Sequence, residues 1–349
     1  LVGSEMCIRD RVCFTGQVPM NLIGNDAFQE VDIVGITRSI CKYAVTVKKR
    51  EDLARIIKNA FYIARTGKPG PVVVDIPKDI QLAMGSDEYP SEVNIRGYKP
   101  SEGVHVGQIK RALAELKNAK KPVFLCGGGV NIAHARKEMQ QLAEKTGIPV
   151  VTTIMGKGAI PTDHPLYVGN IGMHGNLASN KAIMESDVLF SIGCRFNDRI
   201  TGTIDTFAKN AKIIHVDIDA ASISRNIKVD IPIVADAKVA ISKMLEYAEP
   251  LDIKDWVDDI MNVKAEYPIN MNRYDGVTPE AIIRTINDMY SNLIITTDVG
   301  QNQLWTTQYI DIDENKQLLT SGGLGTMGYG FPAAIGAKLG NCLLYTSPS

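Results

Sequence analysis

The chain lacks the features that would assign it to a nucleic-acid, membrane or metal-binding class. Its net charge at pH 7 is −1, which gives no electrostatic basis for binding nucleic acid or an anionic membrane. No apolar run approaches the roughly 18 residues that are needed to span a bilayer. The five histidines are scattered and form no ligand cluster. We therefore expect neither a nucleic-acid partner nor a membrane partner.

The six cysteines form no CxxC pair and no other spacing that is typical of a metal site. Most of them lie in apolar, strand-like sequence, which favours buried thiols in a reducing compartment over disulfides. This predicts a cytoplasmic protein, with a plastid or mitochondrion left open. The GxGxxG fingerprint is also missing, which disfavours nicotinamide dinucleotide binding in the usual mode.

The length of 349 residues predicts two or three domains. Stretches rich in Gly, Pro and Ser, or without periodicity, predict linkers at residues 86–102 and 251–277. The segments between them are 12–85, 103–250 and 278–341. The two ends, Leu1–Arg11 and Cys342–Ser349, match neither neighbouring pattern, and we expect both to be non-native.

Strand-like and helical patterns alternate from residue 103 onward, which is typical of an α/β fold with a parallel sheet. Several buried strands end in glycine or polar loops. These strands are Pro122–Cys126, Pro149–Thr152, Val188–Ile192 and Lys212–Val216. Because the carboxyl ends of parallel strands share one edge, we expect their loops to converge on one ligand site.

The residues in these loops suit a dinucleotide. The triple glycine Gly127–Gly129 would let backbone N–H groups approach a pyrophosphate. Asp217 and Asp219 follow a later strand, where acidic side chains accept hydrogen bonds from ribose hydroxyls. Asp236 follows the short predicted strand Ile231–Ala235 and closes the same edge.

Two arginines follow the strand Val188–Ile192. The planar guanidinium groups of Arg195 and Arg199 donate in a bidentate geometry that suits phosphate or carboxylate. The alternative is a surface loop in which both arginines pair with Asp198. The sequence of this loop alone does not decide between the two.

Four motifs together resemble one family. They are TGQVP at 15–19, AFQE at 27–30, RFNDR at 195–199 and GGLGTMGYG at 322–330. The chain resembles the acetolactate synthase (acetohydroxyacid synthase) catalytic subunit, a thiamine-diphosphate enzyme, almost continuously over 12–341. The resemblance implies three-layer α/β domains with parallel sheets and a complete central Rossmann-like domain for FAD or another nucleotide.

The resemblance also implies what each segment contributes. Residues 12–85 would be the C-terminal part of the thiamine-pyrimidine-binding domain, 103–250 the FAD-binding domain, and 278–341 the start of the thiamine-diphosphate-binding domain. The family's pyrimidine-protonating glutamate and its Mg²⁺-binding segment would lie outside this sequence. We therefore expect the chain to be a fragment that is inactive alone.

Site residues follow from the matching positions. Residues implied at the active site are Phe28, Gln29, Lys78, Met173 and Arg199. Residues implied in FAD binding are Lys68, Gly127, Gly128, Gly129, Thr153, Ile154, His174, Gly175, Gly193, Arg195, Asp198, Asp217, Asp219 and Asp236. Residues implied in thiamine diphosphate binding are Val299, Gly300, Gln301, Asn302, Gly325 and Met327. The chain departs from the family at Lys68, Asn197 and Asn302, where arginine, aspartate and histidine are common.

The implied reaction is decarboxylation of pyruvate and condensation with a second 2-oxo acid, pyruvate or 2-oxobutyrate, at the start of branched-chain amino acid synthesis. A homodimer or homotetramer and a regulatory small subunit are the implied assemblies. Two alternatives remain at this point. One is another thiamine enzyme, such as a pyruvate oxidase or glyoxylate carboligase. The other is a non-catalytic protein that binds FAD or ADP.

Overall fold

The computed structural model describes residues 1–101, 103–271 and 275–341. It forms two compact units, Leu1–Ser101 and Glu102–Ser349, each with its own hydrophobic core. The predicted non-native end Cys342–Ser349 lies outside the described residues. Within the described ranges, no helix combines the length and the apolar character that crossing a membrane requires.

The first unit is a three-stranded parallel sheet of order β1-β3-β2 with helices around it. Its elements are α1 (Val2–Met6), β1 (Arg11–Gln17), α2 (Ile33–Thr37), β2 (Tyr43–Thr46), α3 (Leu53–Arg65), β3 (Pro71–Pro77) and α4 (Lys78–Leu82). The apolar face of α3 packs against the middle strand through Ile56, Ala60 and Ile63. This face is the one that helical periodicity predicts.

The local pattern around Asn25 predicts a short helix ending near Phe28, and this prediction is wrong. Asp26 and Gln29 adopt positive φ angles of 54° and 64°, which no α-helix accommodates. The Glu30 carboxylate instead accepts hydrogen bonds from Gly24 N and from Ala27 N, the latter at 3.0 Å. These bonds close a turn, and they lower the pKa of Glu30.

The second unit begins with a six-stranded sheet of order β6-β5-β4-β7-β8-β9, in which every pair is parallel. Its elements are α5 (Val106–Asn118), β4 (Pro122–Cys126), α6 (Gly128–Ile132), α7 (Arg136–Thr146), β5 (Val150–Thr152), β6 (Tyr167–Asn170), α8 (Leu177–Glu185), β7 (Val188–Ile192), α9 (Asp198–Thr201), β8 (Lys212–Asp217), β9 (Ile231–Val234), α10 (Ala237–Tyr247) and α11 (Lys254–Glu266). The sheet confirms the predicted α/β class with parallel strands.

Two features of this region differ from the sequence predictions. The short edge strand β6 was not predicted, because its sequence YVGN alternates too little to resemble a strand. The charged stretch Lys238–Tyr267, predicted as one helix, forms α10 and α11 around a break at Pro250, since proline lacks the N–H that a continuous helix needs. Trp256 on α11 is buried as predicted, and its indole N–H donates to Pro122 O at 3.1 Å.

The remaining elements form a two-stranded parallel pair with helices: α12 (Pro279–Met289), β10 (Leu293–Thr296), α13 (Gln301–Tyr309), β11 (Lys316–Leu319) and α14 (Gly330–Gly340). Thr278 caps α12 by accepting a hydrogen bond from Ala281 N, as the Thr-Pro start predicts. Hydrogen bonds join this region to the central sheet at Thr162, whose N–H donates to Ile312 O at 2.9 Å.

Candidate functional site

The direction of chain progression reverses in the middle of the six-stranded sheet. The chain enters at β4, adds β5 and β6 on one side, and then crosses to β7 on the other. In open parallel sheets, such a reversal leaves a crevice at the carboxyl edge where ligands bind. Here the two diverging loops contain Gly127–Gly129 and Gly193.

Backbone packing accounts for the glycines in this crevice. Gly127 N donates to Ile192 O at 2.9 Å, and Gly129 N donates to Gly193 O at 3.0 Å. A Cβ on Gly127 would lie 2.1 Å from Gly193 O, and one on Gly129 would lie 2.6 Å from Gly193 Cα. Two of the three N–H groups expected to face a pyrophosphate are therefore used within the sheet. The third N–H group, that of Gly128, has no backbone acceptor within the described residues.

The loop after β5 lies beside this crevice, since Thr153 N donates to Cys126 O at 3.0 Å. The buried Thr153 hydroxyl accepts a hydrogen bond from Gly156 N at 3.1 Å, so it stabilises the turn that carries Ile154. Asn131 fixes the other side of this loop. Its Nδ2 donates to Met155 O at 2.9 Å and to Lys157 O at 3.1 Å.

The loop after β6 brings two predicted active-site residues together. Met173 is 65% exposed, and its N–H donates to Arg199 O at 3.0 Å. Gly175 N closes the turn by donating to Gly172 O, which leaves His174 exposed at its tip. Met173 and Arg199 therefore lie side by side at the carboxyl edge.

The arginine loop after β7 resolves the alternative left open by its sequence. Arg199 pairs with Asp198, with 3.7 Å between Nε and Oδ2, but both side chains are more than two-thirds exposed. An exposed pair of this kind contributes about 0–1 kcal/mol. Arg195 is half-buried and pairs with no acidic side chain in the described part of the chain. The loop is therefore not held by ion pairing of both arginines.

The three aspartates predicted at this edge, of which Asp217 and Asp219 are expected to accept hydrogen bonds from ribose hydroxyls, also stabilise backbone turns. Asp217 accepts from Asp219 N at 2.8 Å, and Asp219 accepts from Ala221 N at 3.0 Å. Asp236 caps α10 by accepting from Lys238 N and Val239 N. Their position at the sheet edge agrees with the sequence prediction, and the capping bonds are an additional role that the sequence did not indicate.

His215 on β8 is a buried group beneath this edge. Burial lowers its pKa from 6.5 to about 4. Asp217 Oδ2 lies 3.7 Å from Nε2, and a backbone hydrogen bond at Cys194 offsets only a small part of the effect of burial. The ring packs edge-to-face against Phe196 at 5.0 Å between centroids. The neutral imidazole therefore supports the arginine loop from below.

In the first unit, the predicted active-site residues are exposed. Phe28 is 89% exposed and Gln29 follows it on the turn closed by Glu30. Lys78 is the exposed first residue of α4. Lys68 lies in the turn between α3 and β3.

The two segments predicted to hold thiamine diphosphate meet at one carboxylate. Asp298 accepts hydrogen bonds from Val299 N at 2.7 Å, Gly328 N at 2.9 Å and Gly330 N at 3.2 Å. These N–H groups lower the pKa of Asp298. The carboxylate thus joins the segment that leads into α13, with Gly300 before the helix and Gln301 and Asn302 at its start, to the loop with Gly325 and Met327.

Comparisons with known proteins agree with this geometry. Residues 109–244 match the thiamine pyrophosphate enzyme central domain, and residues 298–347 match the thiamine pyrophosphate enzyme C-terminal TPP binding domain. The chain is 46% identical to a probable acetolactate synthase large subunit from Methanococcus aeolicus, over 94% of this chain and 58% of that protein. It is 44% identical to the acetolactate synthase large subunit of Corynebacterium glutamicum, over 94% of this chain and 54% of that protein. The chain belongs to the acetolactate synthase large-subunit family.

Family membership confirms the resemblance inferred from the four motifs. The chain spans a little over half the length of the relatives described above. In the described residues, no group of three or more His, Cys, Asp or Glu side chains is arranged to hold a metal ion. Of the two matched domains, the C-terminal one is described as a TPP binding domain.

Sequence reasoning missed the polar side chains that hold the loops in place. Four side chains each make two or more hydrogen bonds to the backbone of a strand-end loop: Asp298, Asn131, Asn180 and Asn226. Three of them are asparagines without a motif around them, and their partners are set by tertiary structure. Of the four, only Asp298 could have been found from the sequence, because it immediately precedes the predicted diphosphate-binding loop.

Proposed function

We propose that this chain is part of an acetolactate synthase catalytic subunit that condenses pyruvate with a second 2-oxo acid, pyruvate or 2-oxobutyrate. The observation that supports it best is the Asp298 carboxylate, which joins the two thiamine-binding segments in a member of this family. We also propose that this condensation is the first step of branched-chain amino acid synthesis.

Thiamine diphosphate would supply the nucleophilic carbon on which pyruvate loses CO₂. Residues of this chain fit its diphosphate end, because Gln301 and Asn302 begin α13 and their N–H groups have no backbone acceptor within the described residues. Gly300, with φ of 127°, adopts a conformation that suits glycine and leads into this helix end. Met327 is 82% exposed beside them and would contact the apolar part of the cofactor.

FAD would occupy the crevice between the loops that follow β4 and β7. Asn197 Oδ1 is buried there without a partner in the described part of the chain, so it fits a ligand hydroxyl donor. Gly128 N–H and the Arg195 guanidinium would contact the pyrophosphate, and Lys68 would add a point charge. The carboxyl edge of the sheet around the flavin would be lined by Thr153, Ile154, His174, Gly175, Asp217, Asp219 and Asp236. In this family the flavin is not reduced or oxidised in turnover, so its role would be structural.

The remaining parts of the proposal concern the whole protein. Mg²⁺ would be bound by a segment that follows it, and the glutamate that protonates the pyrimidine ring would precede it. The three domains of the thiamine enzyme would correspond to segments 12–85, 103–250 and 278–341. The active site would be bordered by Phe28, Gln29 and Lys78. The protein would form a dimer or tetramer, and a regulatory small subunit would be a further partner.

We expect Arg199→Ala to remove the preference for 2-oxobutyrate over pyruvate as second substrate in the full-length enzyme. The exposed guanidinium would bind the second carboxylate, a charge-assisted contact of about 1.5–3 kcal/mol. Both substrates carry this carboxylate, and the contact would orient the alkyl group, by which they differ, in the pocket that Met173 lines. The measurement is the ratio of the two condensation products when both substrates compete. An unchanged ratio rejects the role of Arg199, and absence of any condensation product from the unmutated enzyme rejects the proposed function.

We expect Arg195→Ala to weaken flavin retention more than Lys68→Ala does. A guanidinium can donate two hydrogen bonds to a phosphate, whereas an ammonium acts as a single point charge. Flavin absorbance per protein after gel filtration measures the effect, and Lys238→Ala, on the exposed side of α10, is the matched control. Equal flavin content in Arg195→Ala and Lys68→Ala would contradict the proposed pyrophosphate contact.

A further inference from the structure

Asn180 on α8 holds the loop that carries Met173. Its Oδ1 accepts a hydrogen bond from Gly172 N at 2.9 Å, and its Nδ2 donates to Gly172 O at 3.1 Å. One side-chain amide thus satisfies both backbone groups of a residue whose φ is 98°. We call this pair of bonds the Asn180 clamp.

Gly172 in turn lies directly against the backbone of Arg199. A Cβ at Gly172 would be 2.4 Å from Arg199 O. The next N–H along the loop, that of Met173, donates to the same Arg199 O at 3.0 Å. Any shift of Gly172 is therefore transmitted to the carbonyl of Arg199.

Asn226 holds the arginine loop from the other side. Its Nδ2 donates to Arg195 O at 3.0 Å and to Phe196 O at 3.1 Å. We call these two bonds the Asn226 clamp. Both accepting carbonyls flank a sharp change in chain direction, since Phe196 has φ of 51°, a conformation that is rare for an aromatic residue.

The conformation of Phe196 requires support from its surroundings. A non-glycine residue in the left-handed region costs of order 1–3 kcal/mol, which the surrounding structure must offset. The Phe196 ring is buried between His215 and Phe207, with centroids 5.0 and 6.0 Å away. The Asn226 clamp adds the hydrogen bonds that fix the two carbonyls, and α9 with Arg199 begins two residues later.

We infer that Asn180 and Asn226 are positioning residues that together set where Arg199 presents its guanidinium, and hence the selectivity for the second 2-oxo acid. This inference rests on the proposed function, because it gives Arg199 the second carboxylate. The clamps act through backbone atoms and contact no substrate themselves. Asn131 makes the same kind of clamp on the loop after β5. Among the described residues, this loop makes no hydrogen bond to Arg199, so Asn131 is the matched control.

The test uses the full-length enzyme with pyruvate and 2-oxobutyrate in competition. Asn180→Asp and Asn226→Asp keep the side-chain size but place a carboxylate oxygen against a backbone carbonyl. We expect each to shift the product ratio toward that of Arg199→Ala by at least about threefold, since small displacements of an orienting group have large kinetic effects. Asn131→Asp should lower flavin retention and leave the product ratio unchanged.

The product ratio separates positioning from a general loss of folded enzyme, because unfolding lowers both products in proportion. Should either Asp variant fail to fold, the Ala variant of that residue, which removes the bonds without adding charge, is measured in its place. If Arg199→Ala shifts the ratio and the clamp variants do not, the positioning role is overturned and the proposed function stands. If Arg199→Ala itself leaves the ratio unchanged, the proposed role of Arg199 fails, and the inference fails with it. An equal shift in Asn131→Asp would also overturn the inference.

Discussion

Replacing Gly127 with alanine should destabilise the central sheet by about 3 kcal/mol or more, at the upper end of overpacking effects. The added Cβ would lie 2.1 Å from Gly193 O and 2.6 Å from Cys194 Cα, and both are backbone atoms that cannot rotate away. Relief requires β4 and β7 to separate at their carboxyl ends, where the Gly127 N–H donates to Ile192 O. Thermal or denaturant unfolding of the full-length protein measures the loss.

Gly103→Ala is the matched control, because among the described residues, apart from its chain neighbours, no atom lies within 4 Å of a Cβ built there. It should leave the unfolding free energy within about 0.5 kcal/mol of the parent, as for most surface substitutions. Similar stabilities for the two variants would show that the strand-end loops are separated more widely than described. The flavin content of Gly127→Ala should fall together with its stability.

Acidification should destabilise the protein through His215, by up to about 3 kcal/mol, since each pKa unit corresponds to 1.36 kcal/mol. The folded-state pKa of about 4 lies below the ordinary value of 6.5. At pH values between 4 and 6.5, His215 binds a proton in the unfolded chain but stays neutral in the folded chain. The free energy of unfolding therefore falls as the pH decreases from 6.5 to 4. Above pH 6.5 both states are neutral at this residue and the effect vanishes.

A His215→Gln variant isolates this effect from the carboxylates that also contribute to acid denaturation. The amide roughly retains the volume and polarity of the ring but does not titrate. As the pH is lowered from 7 to 4, we expect the unfolding free energy of the parent to fall relative to that of the variant. A constant difference across this range would mean that the folded protein accommodates a charged His215.

Much of the central sheet was predictable because its strands are buried on both faces and its helices are amphipathic. The observed limits of β4 and β7 are those predicted from the sequence. The turn before Glu30 was not predictable, because it depends on a carboxylate that reaches back to Gly24 N. Local propensity around Asn25 favoured a helix cap, and a side chain farther along the sequence determined the structure.

The candidate site was predictable to a similar extent. Strand-end positions located Arg195, Arg199, Asp217 and the glycines at one edge, since parallel strands share a carboxyl end. The sequence could not show that Gly127 and Gly129 are required by Gly193, because this packing joins segments that are distant in sequence. It also could not assign partners to Asn180 and Asn226, because a side-chain amide has many candidate hydrogen-bond partners until the fold is known.

The exclusively parallel pairing of the six-stranded sheet has a consequence for how the protein acquires its structure. No hairpin can form early, because every pair of neighbouring strands is joined by a long crossover. β4 obtains its second neighbour only when Pro122 pairs with Val188, after β5, β6 and α8 have been synthesised. Until then an apolar strand edge stays open, and slow non-local pairing of this kind exposes a nascent chain to aggregation. During synthesis, the glycine contact between β4 and β7 can therefore form only after α8 has been made.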